Sequence, residues 1–327
     1  TNTFTSLLHD ITFGLFFKST VNVTLSADDN LSGVDHYEYK QVDTSKGQTY
    51  DSSSWITTSS GTFSIDPQFK GAVYVRAVDK AGNISDVIQT NGFAVDNQSP
   101  TAPAVTATVN GDTYNSGWIS GDVILVASDS TALSGIDYYE YSTDDGVTWT
   151  KMPAESGTVD STSKQKIPDT LTVNTDMDGD IHIRAVSNSG IEGSEYIVTV
   201  KRDSVKPTIG SIMGNPTAWT TDSATLTVNA TDAGGSNISQ YSFNGGSTWQ
   251  DSASYAYSSN TAIPANTIQV KDAAGNVTSY DQDITVDKID KTAPVIDSVT
   301  GNVTAWTNGD VTLTVNATDA GGSNIAA

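Results

Sequence analysis

The 327-residue sequence contains no cysteine. That excludes disulfides, thiolate-ligated zinc and a thiol nucleophile. Histidine is scarce, at three residues, and arginine occurs only as Arg76, Arg184 and Arg202. Basic side chains number 16 against 38 acidic ones, giving a net charge of −22. Nucleic acid needs clustered Lys and Arg, so this balance argues against it as a partner. It argues equally against an anionic membrane surface. The longest apolar run, Phe13–Phe17, is too short to span a bilayer. No signal peptide or anchor is legible, and the sequence reads as an excerpt of something longer. Hydrophobic residues make up 36%, enough for several small cores and too much for a disordered chain.

What is abundant is repetition. Residues 217–238 (TAWTTDSATLTVNATDAGGSNI) return as 304–325 (TAWTNGDVTLTVNATDAGGSNI), with 18 of 22 positions identical at an offset of 87. Weaker copies lie upstream. The alternating stripe Leu226, Val228, Ala230 has counterparts in Val23, Leu25, Ala27, in Val123, Leu125, Ala127, and in Leu313, Val315, Ala317. Period-2 alternation predicts a strand with one buried face. An aromatic precedes each stripe (Phe16, Trp118, Trp219, Trp306) and is expected to plug the end of a core. A second strand follows each: Val34, Tyr37, Tyr39; Ile136, Tyr139, Tyr141; Ile238, Tyr241, Phe243. A turn then closes each unit, at Asp79–Asn83, Asn188–Gly190 and Asp272–Asn276, with residue types suited to tight hairpins.

The units are joined by Asp-x-x-x-Pro, at Asp96, Asp203 and Asp290, spaced by 107 and 87 residues. Pro cannot donate to a sheet ladder and suits a linker or first edge strand. The boundaries expected are 1–98, 99–204 (longer, with an insertion over 152–172), 205–290, and a partial repeat at 291–327. The last cannot bury its apolar face alone, so it is expected to be poorly ordered or to borrow a partner. Short strands, frequent turns and almost no helical period predict an all-β chain of tandem immunoglobulin-like β-sandwich domains in an elongated array. The exception is Phe4, Leu7, Leu8 and Ile11, whose spacing predicts a short N-terminal helix.

The segments VRAVDKAGNISD (75–86), VKDAAGNVTS (270–279) and DKTAPVI (290–296) resemble the tandem bacterial Ig-like repeats of large cell-surface proteins of Firmicutes. The opening segment 11–39 is similar to the first Ig-like module of such proteins. The resemblance covers essentially the whole chain. It implies an extracellular setting, on a Gram-positive cell surface or secreted, and leaves the ligand open, because fold does not dictate function.

Ser142-Thr-Asp-Asp-Gly-Val-Thr-Trp149 matches the Asp-box pattern of sialidases, and Ser242–Trp249 is a near copy. In that family the motif is a folded hairpin away from the catalytic centre. Three arginines spread over two repeats cannot build a carboxylate-binding cluster, so a structural hairpin is expected. His9, His36 and His182 lie in different contexts, and no G-x-S-x-G motif is present. The chain is therefore expected not to be an enzyme. Calcium takes six to eight oxygens. The register of Asp96, Asp203 and Asp290 makes them candidate calcium ligands at the junctions, against the simpler reading that they cap turns. An intramolecular Lys–Asn isopeptide bond would need a buried lysine, and none falls on a core stripe.

Two functions remain. In the first, the chain is part of a cell-surface adhesin and behaves as a monomer. Repeats one and two bind a host protein such as immunoglobulin, or a mucin glycan, and the later repeats serve as stalk. The long polar stretch 41–60, expected to be one loop and containing Tyr50 and Trp55, and Tyr138 supply the candidate ligand-binding residues, since exposed aromatics stack on sugars or anchor protein interfaces. In the second, the chain is a non-catalytic accessory region of a large secreted glycoside hydrolase.

Overall fold

A computed structural model describes residues 15–153, 158–159, 166–167 and 169–325. The predicted N-terminal helix and His9 lie outside the described residues, as does much of the insertion. Within them, Thr158–Val159 pairs with Lys166–Ile167. The chain is all-β, a tandem series of Ig-like sandwiches, with one short 3-10 turn among the described residues, at Thr44–Lys46. No helix among the described residues is long and apolar enough to cross a membrane. The chain divides into two compact units. One holds residues 1–116, 123–174 and 179–200, and the other holds 117–122, 175–178 and 201–327.

In the first unit, a sheet runs in the order Leu15–Phe17, Phe93–Val95, Phe69–Asp79, Val34–Asp43, Ile56–Thr58. Its partner is the antiparallel pair Val21–Thr24 and Thr62–Ile65. The stripe residue Val23 meets Phe63, Ile65, Phe69, Val73, Val75, Phe93 and Val95 in one buried cluster. The inward positions of Phe69–Asp79 alternate as the period-2 pattern requires. The second repeat builds the same parts. Val123–Ser128 lies between Ala104–Val109 and Thr170–Val173, and Ile136–Ser142 pairs with Met177–Ser187. The stretch 41–60 is not one loop, as the sequence suggested. Val34–Asp43 extends as strand into it, and Ile56–Thr58 pairs back on Tyr37–Tyr39.

In the second unit, Thr208–Met213, Ala224–Thr231 and Ser254–Tyr257 form one sheet. Ile238–Ser242, Gln269–Asp272 and Val277–Ser279 form another. Ala224, Leu226 and Val228 bury against Phe243, Ile263, Ile268, Val270 and Val286. Beyond Asp290, Val295–Thr300 pairs with Thr314–Thr318, with the same register slip that its counterpart shows between Ile209 and Ser211. A slip also recurs at the start of each second strand, at Val34/His36, Ile136/Tyr138 and Ile238/Gln240. A one-residue bulge flips the side chains beyond it, so its position sets which residues face inward in every copy.

The preceding aromatics are not core plugs. Phe16 and Trp118 are half-buried, while Trp219 and Trp306 are exposed. Each of the first three sits on or beside a short parallel pairing with the last strand of its own repeat: Leu15–Phe17 with Phe93–Val95, Trp118–Ile119 with Lys201–Arg202, and Thr220 with Ile289. That places the ring at the rim, where Trp118 lies under Lys201 and Trp219 under Lys288.

Leu226 is fully buried, whereas its repeat-mate Leu313 is more than half exposed. Leu226→Ala is expected to cost about 2–5 kcal/mol and Leu313→Ala within about 0.5 kcal/mol. Urea unfolding of the two variants, followed by fluorescence, checks the contrast.

Candidate functional site

Two arrangements recur: a buried junction and a surface cation–π group. The junction begins with the linker aspartate. Its backbone N–H bonds the last residue of the short parallel strand in its own repeat, as Asp96 to Phe17 O at 2.7 Å, Asp203 to Ile119 O at 2.9 Å and Asp290 to Thr220 O at 2.9 Å. All three carboxyl groups are buried. One carboxylate oxygen of each accepts the N–H two residues on, from Gln98, Val205 or Thr292. The other accepts the N–H of a serine in the next repeat. The distances are 2.9 Å from Ser134, 3.0 Å from Ser236 and 2.9 Å from Ser323. Ser134 Oγ adds a further bond to Asp96 at 2.8 Å. Gly234 and Gly321 admit the approach, since a Cβ on either would collide with the carboxylate of Asp203 or Asp290. The ring ends of Trp118 and Trp219 lie against the adjacent Gly235 and Gly322.

Burial pushes the Asp96 and Asp203 carboxyls up. The serine hydroxyl and amide donors outweigh it, so both stay below the ordinary aspartate value. Asp290 is lowered by the Ser323 hydroxyl and by the Thr292 and Ser323 amides. An unpaired buried carboxylate would be costly, and here each is paired on both oxygens.

The calcium expectation treated the three junctions alike, but their surroundings differ. Asp203, Asp232 and Asp272 bring carboxylate oxygens within 4.8 Å of one another. Asp272 also accepts the N–H and side-chain amide of Asn276, both at 2.8 Å. In the stripe register the positions matching Asp232 and Asp272 are Asp129 and Ser187, and among the described residues no such group of three forms beside Asp96. Three carboxylates are the beginning of a calcium set, yet much of their capacity is spent on protein donors, and the grouping by itself assigns no ion.

The surface group consists of a tryptophan at the start of an edge strand and a cation two strands across the same sheet. Arg76 lies over Trp55 at 4.3 Å, Arg184 over Trp149 at 3.9 Å and Lys271 over Trp249 at 4.4 Å. Each arginine also pairs with the glutamate directly across its ladder, Arg76 with Glu38 and Arg184 with Glu140. Trp55 thus belongs to a motif common to three repeats. Tyr50 does not. It stacks on Tyr74 at 4.2 Å and meets Trp55 edge-on at 6.4 Å, and its loop is held by Lys40 to Asp51 at 2.7 Å. The structure therefore brings Tyr50 and Trp55 together with Tyr74 and Arg76, residues the sequence reading did not single out. Tyr138 stands on a different sheet, its ring under Lys151 at 3.5 Å.

The Asp-box geometry is a hairpin. Thr148 N–H and Oγ bond Asp144, Gly146 N–H bonds Ser142 Oγ, and Trp149 Nε1 bonds Gly146 O. The Thr148 and Ser142 donors lower Asp144 to about 2. His182, between buried Ile181 and Ile183, bonds Glu195 at 2.8 Å, which raises its pKa.

No protein-family model and no curated protein matches the chain. Solved structures similar to it include fibronectin(III)-like modules of Clostridium thermocellum CbhA (16% identity, 62% of this chain and 95% of that one, TM-score 0.27). Others are Drosophila OTK extracellular domains 3–5 (12%, 84% and 93%, 0.28) and chicken CNTN1 FN1–FN3 (12%, 83% and 95%, 0.26).

Asp96→Ala leaves the buried Ser134 amide without its acceptor, an expected loss of about 1–3 kcal/mol in chemical denaturation. Because the folded-state pKa values of Asp96, Asp203 and Asp290 are depressed, their contribution is present above the unfolded aspartate pKa. It is lost as pH falls through the folded value. The melting temperature should therefore drop below about pH 4, and drop less in the triple Asp→Asn variant. His182 has the opposite sign: its raised pKa favours the folded state at low pH. That gain disappears as pH rises through the folded value, and His182→Gln should flatten this part of the profile.

Proposed function

We propose that the chain is a non-enzymatic segment of a bacterial cell-surface adhesin, divided at about residues 98, 204 and 290. The first two repeats would engage a host ligand and the later ones would act as stalk. The observation that carries this reading is the contrast between the two recurring arrangements. The buried Asp–Ser junction is built alike three times, as a spacer requires. The aromatic group changes from repeat to repeat while its frame stays fixed, as variable binding loops on Ig-like sandwiches do.

Tyr50, with Trp55 and Tyr74 beside it, offers ring faces and edges at the surface. Asp51 and Arg76 supply polar groups at its margin. Ring faces flanked by charged side chains suit a sugar, which stacks and hydrogen-bonds at once. A mucin-type glycan is accordingly favoured over a host protein such as immunoglobulin. Tyr138 contributes separately, from the second repeat.

The test is binding of the full chain to immobilised intestinal mucin and to pooled immunoglobulin. Mucin binding is expected to weaken at least tenfold in Tyr50→Ala and to change less in Tyr138→Ala. Unaltered binding in Tyr50→Ala would displace the site from the first repeat. Binding to immunoglobulin alone would replace the glycan with a protein ligand.

A further inference from the structure

Beneath the Tyr50 loop lie two facing pairs of the ladder between Val34–Asp43 and Phe69–Asp79: Lys40 opposite Tyr74, and Glu38 opposite Arg76. Tyr74 carries the Tyr50 ring at 4.2 Å, and Arg76 lies over Trp55 at 4.3 Å. The ladder pair matching Lys40 and Tyr74 is Ser142 and His182 in the second repeat and Ser242 and Gln269 in the third. There the serine hydroxyl holds a short hairpin shut, accepting the Gly146 N–H at 3.0 Å or the Gly246 N–H at 2.9 Å. The first repeat has a longer loop at this place, and a lysine does the holding.

A lysine ammonium has three donors. Lys40 spends them on the Asp51 carboxylate at 2.7 Å, the Asp51 carbonyl at 3.2 Å and the Ser53 carbonyl at 2.7 Å. Asp51 is fixed further by the Ser53 amide at 2.8 Å. The Lys40 ammonium and the Ser53 donors lower Asp51 to about 2, so it remains a carboxylate across the neutral range. Arg76 is likewise paired, with Glu38. Both cations that touch the rings are therefore committed to the loop and its floor. Exposure separates the four charges. The side chains of Lys40, Arg76 and Glu38 are 14%, 21% and 17% exposed, whereas that of Asp51 is 59% exposed. The charge an incoming ligand meets beside the rings is negative, on a chain of net charge −22.

We propose that the surface of Tyr50, Trp55 and Tyr74 takes an uncharged sugar residue and turns away acidic ones, with Lys40 a positioning residue that holds the loop and does not touch the ligand. This rests on the glycan reading above. An acidic sugar is recognised by a free ammonium or guanidinium, and here it would meet Asp51 as a like charge. An uncharged ring stacks on the aromatic faces and donates its hydroxyls to the Asp51 carboxylate. Because Lys40 has already closed the loop, binding does not have to order it.

The test uses the full chain with intestinal mucin before and after sialidase treatment, at low and high salt. Binding to treated mucin is expected to match native mucin within about twofold or to exceed it. It should change little with salt, since screening acts on charge pairs. Tyr50→Ala should weaken binding to both mucins about tenfold. Lys40→Met should weaken both several-fold, with faster hydrogen exchange over 48–55. Tyr50-dependent binding that is lost on sialidase treatment, or that collapses in high salt, would overturn the proposal and leave the glycan reading standing. So would a Lys40→Met variant that binds treated mucin normally and loses only native mucin, since the ammonium would then be touching an acidic sugar. Mucin binding indifferent to Tyr50→Ala would remove the glycan reading itself, and this inference with it.

Discussion

A buried carboxylate at the end of each last strand holds two hydrogen-bond systems together. The linker aspartate gives its amide to its own repeat and receives the amide of a serine from the next. Neither half is free to form alone at low cost. The carboxylate must be desolvated to sit where it does, and the serine donors, with the amide two residues on, offset that. Other features of the junction fit around this contact: the glycines whose missing Cβ lets the loop approach, and the indole rings beside Gly235 and Gly322. The position of one side chain thus fixes where the following sheet begins.

The second recurring arrangement uses the few arginines the chain has. Each of the two strand arginines is shared between a glutamate across the ladder and a tryptophan ring. Charge pairing and ring packing then restrain the same guanidinium, which suits its planar, weakly hydrated head. In the third repeat a lysine takes the position above Trp249, and Gln240 replaces the glutamate opposite it. The frame survives because the alternating core beneath it does not change. Surface chemistry can therefore vary from repeat to repeat without disturbing the sandwich.

Much of this was legible in the sequence. Period-2 stripes located the buried strands because alternation reports one-sided burial directly, and the repeat itself marked the linker aspartates. That those aspartates cap a turn was legible, and each accepts the N–H two residues on; their serine partners were not, because these lie about 33 to 38 positions away. A signal did exist: serine stands two residues before the second strand at Ser32, Ser134 and Ser236, and Ser323 holds the matching position in the last repeat. The tryptophans were misplaced for a related reason. An indole before a core stripe has the composition of a plug, and only the parallel pairing beside it shows that the ring belongs at the rim. Tyr74 was hidden because an outward-facing strand residue looks like any other until the Tyr50 loop folds over it.

The short parallel pairings have a mechanical meaning. In the first repeat Leu15–Phe17 lies alongside Phe93–Val95, so the strands near its two ends run side by side in the same direction. A pull applied at those ends slides one strand past the other and loads their hydrogen bonds together. An antiparallel hairpin pulled at its open end parts one bond at a time. A repeat tied off in this way resists traction at its rim, and its hydrophobic core stays shut until that rim has sheared.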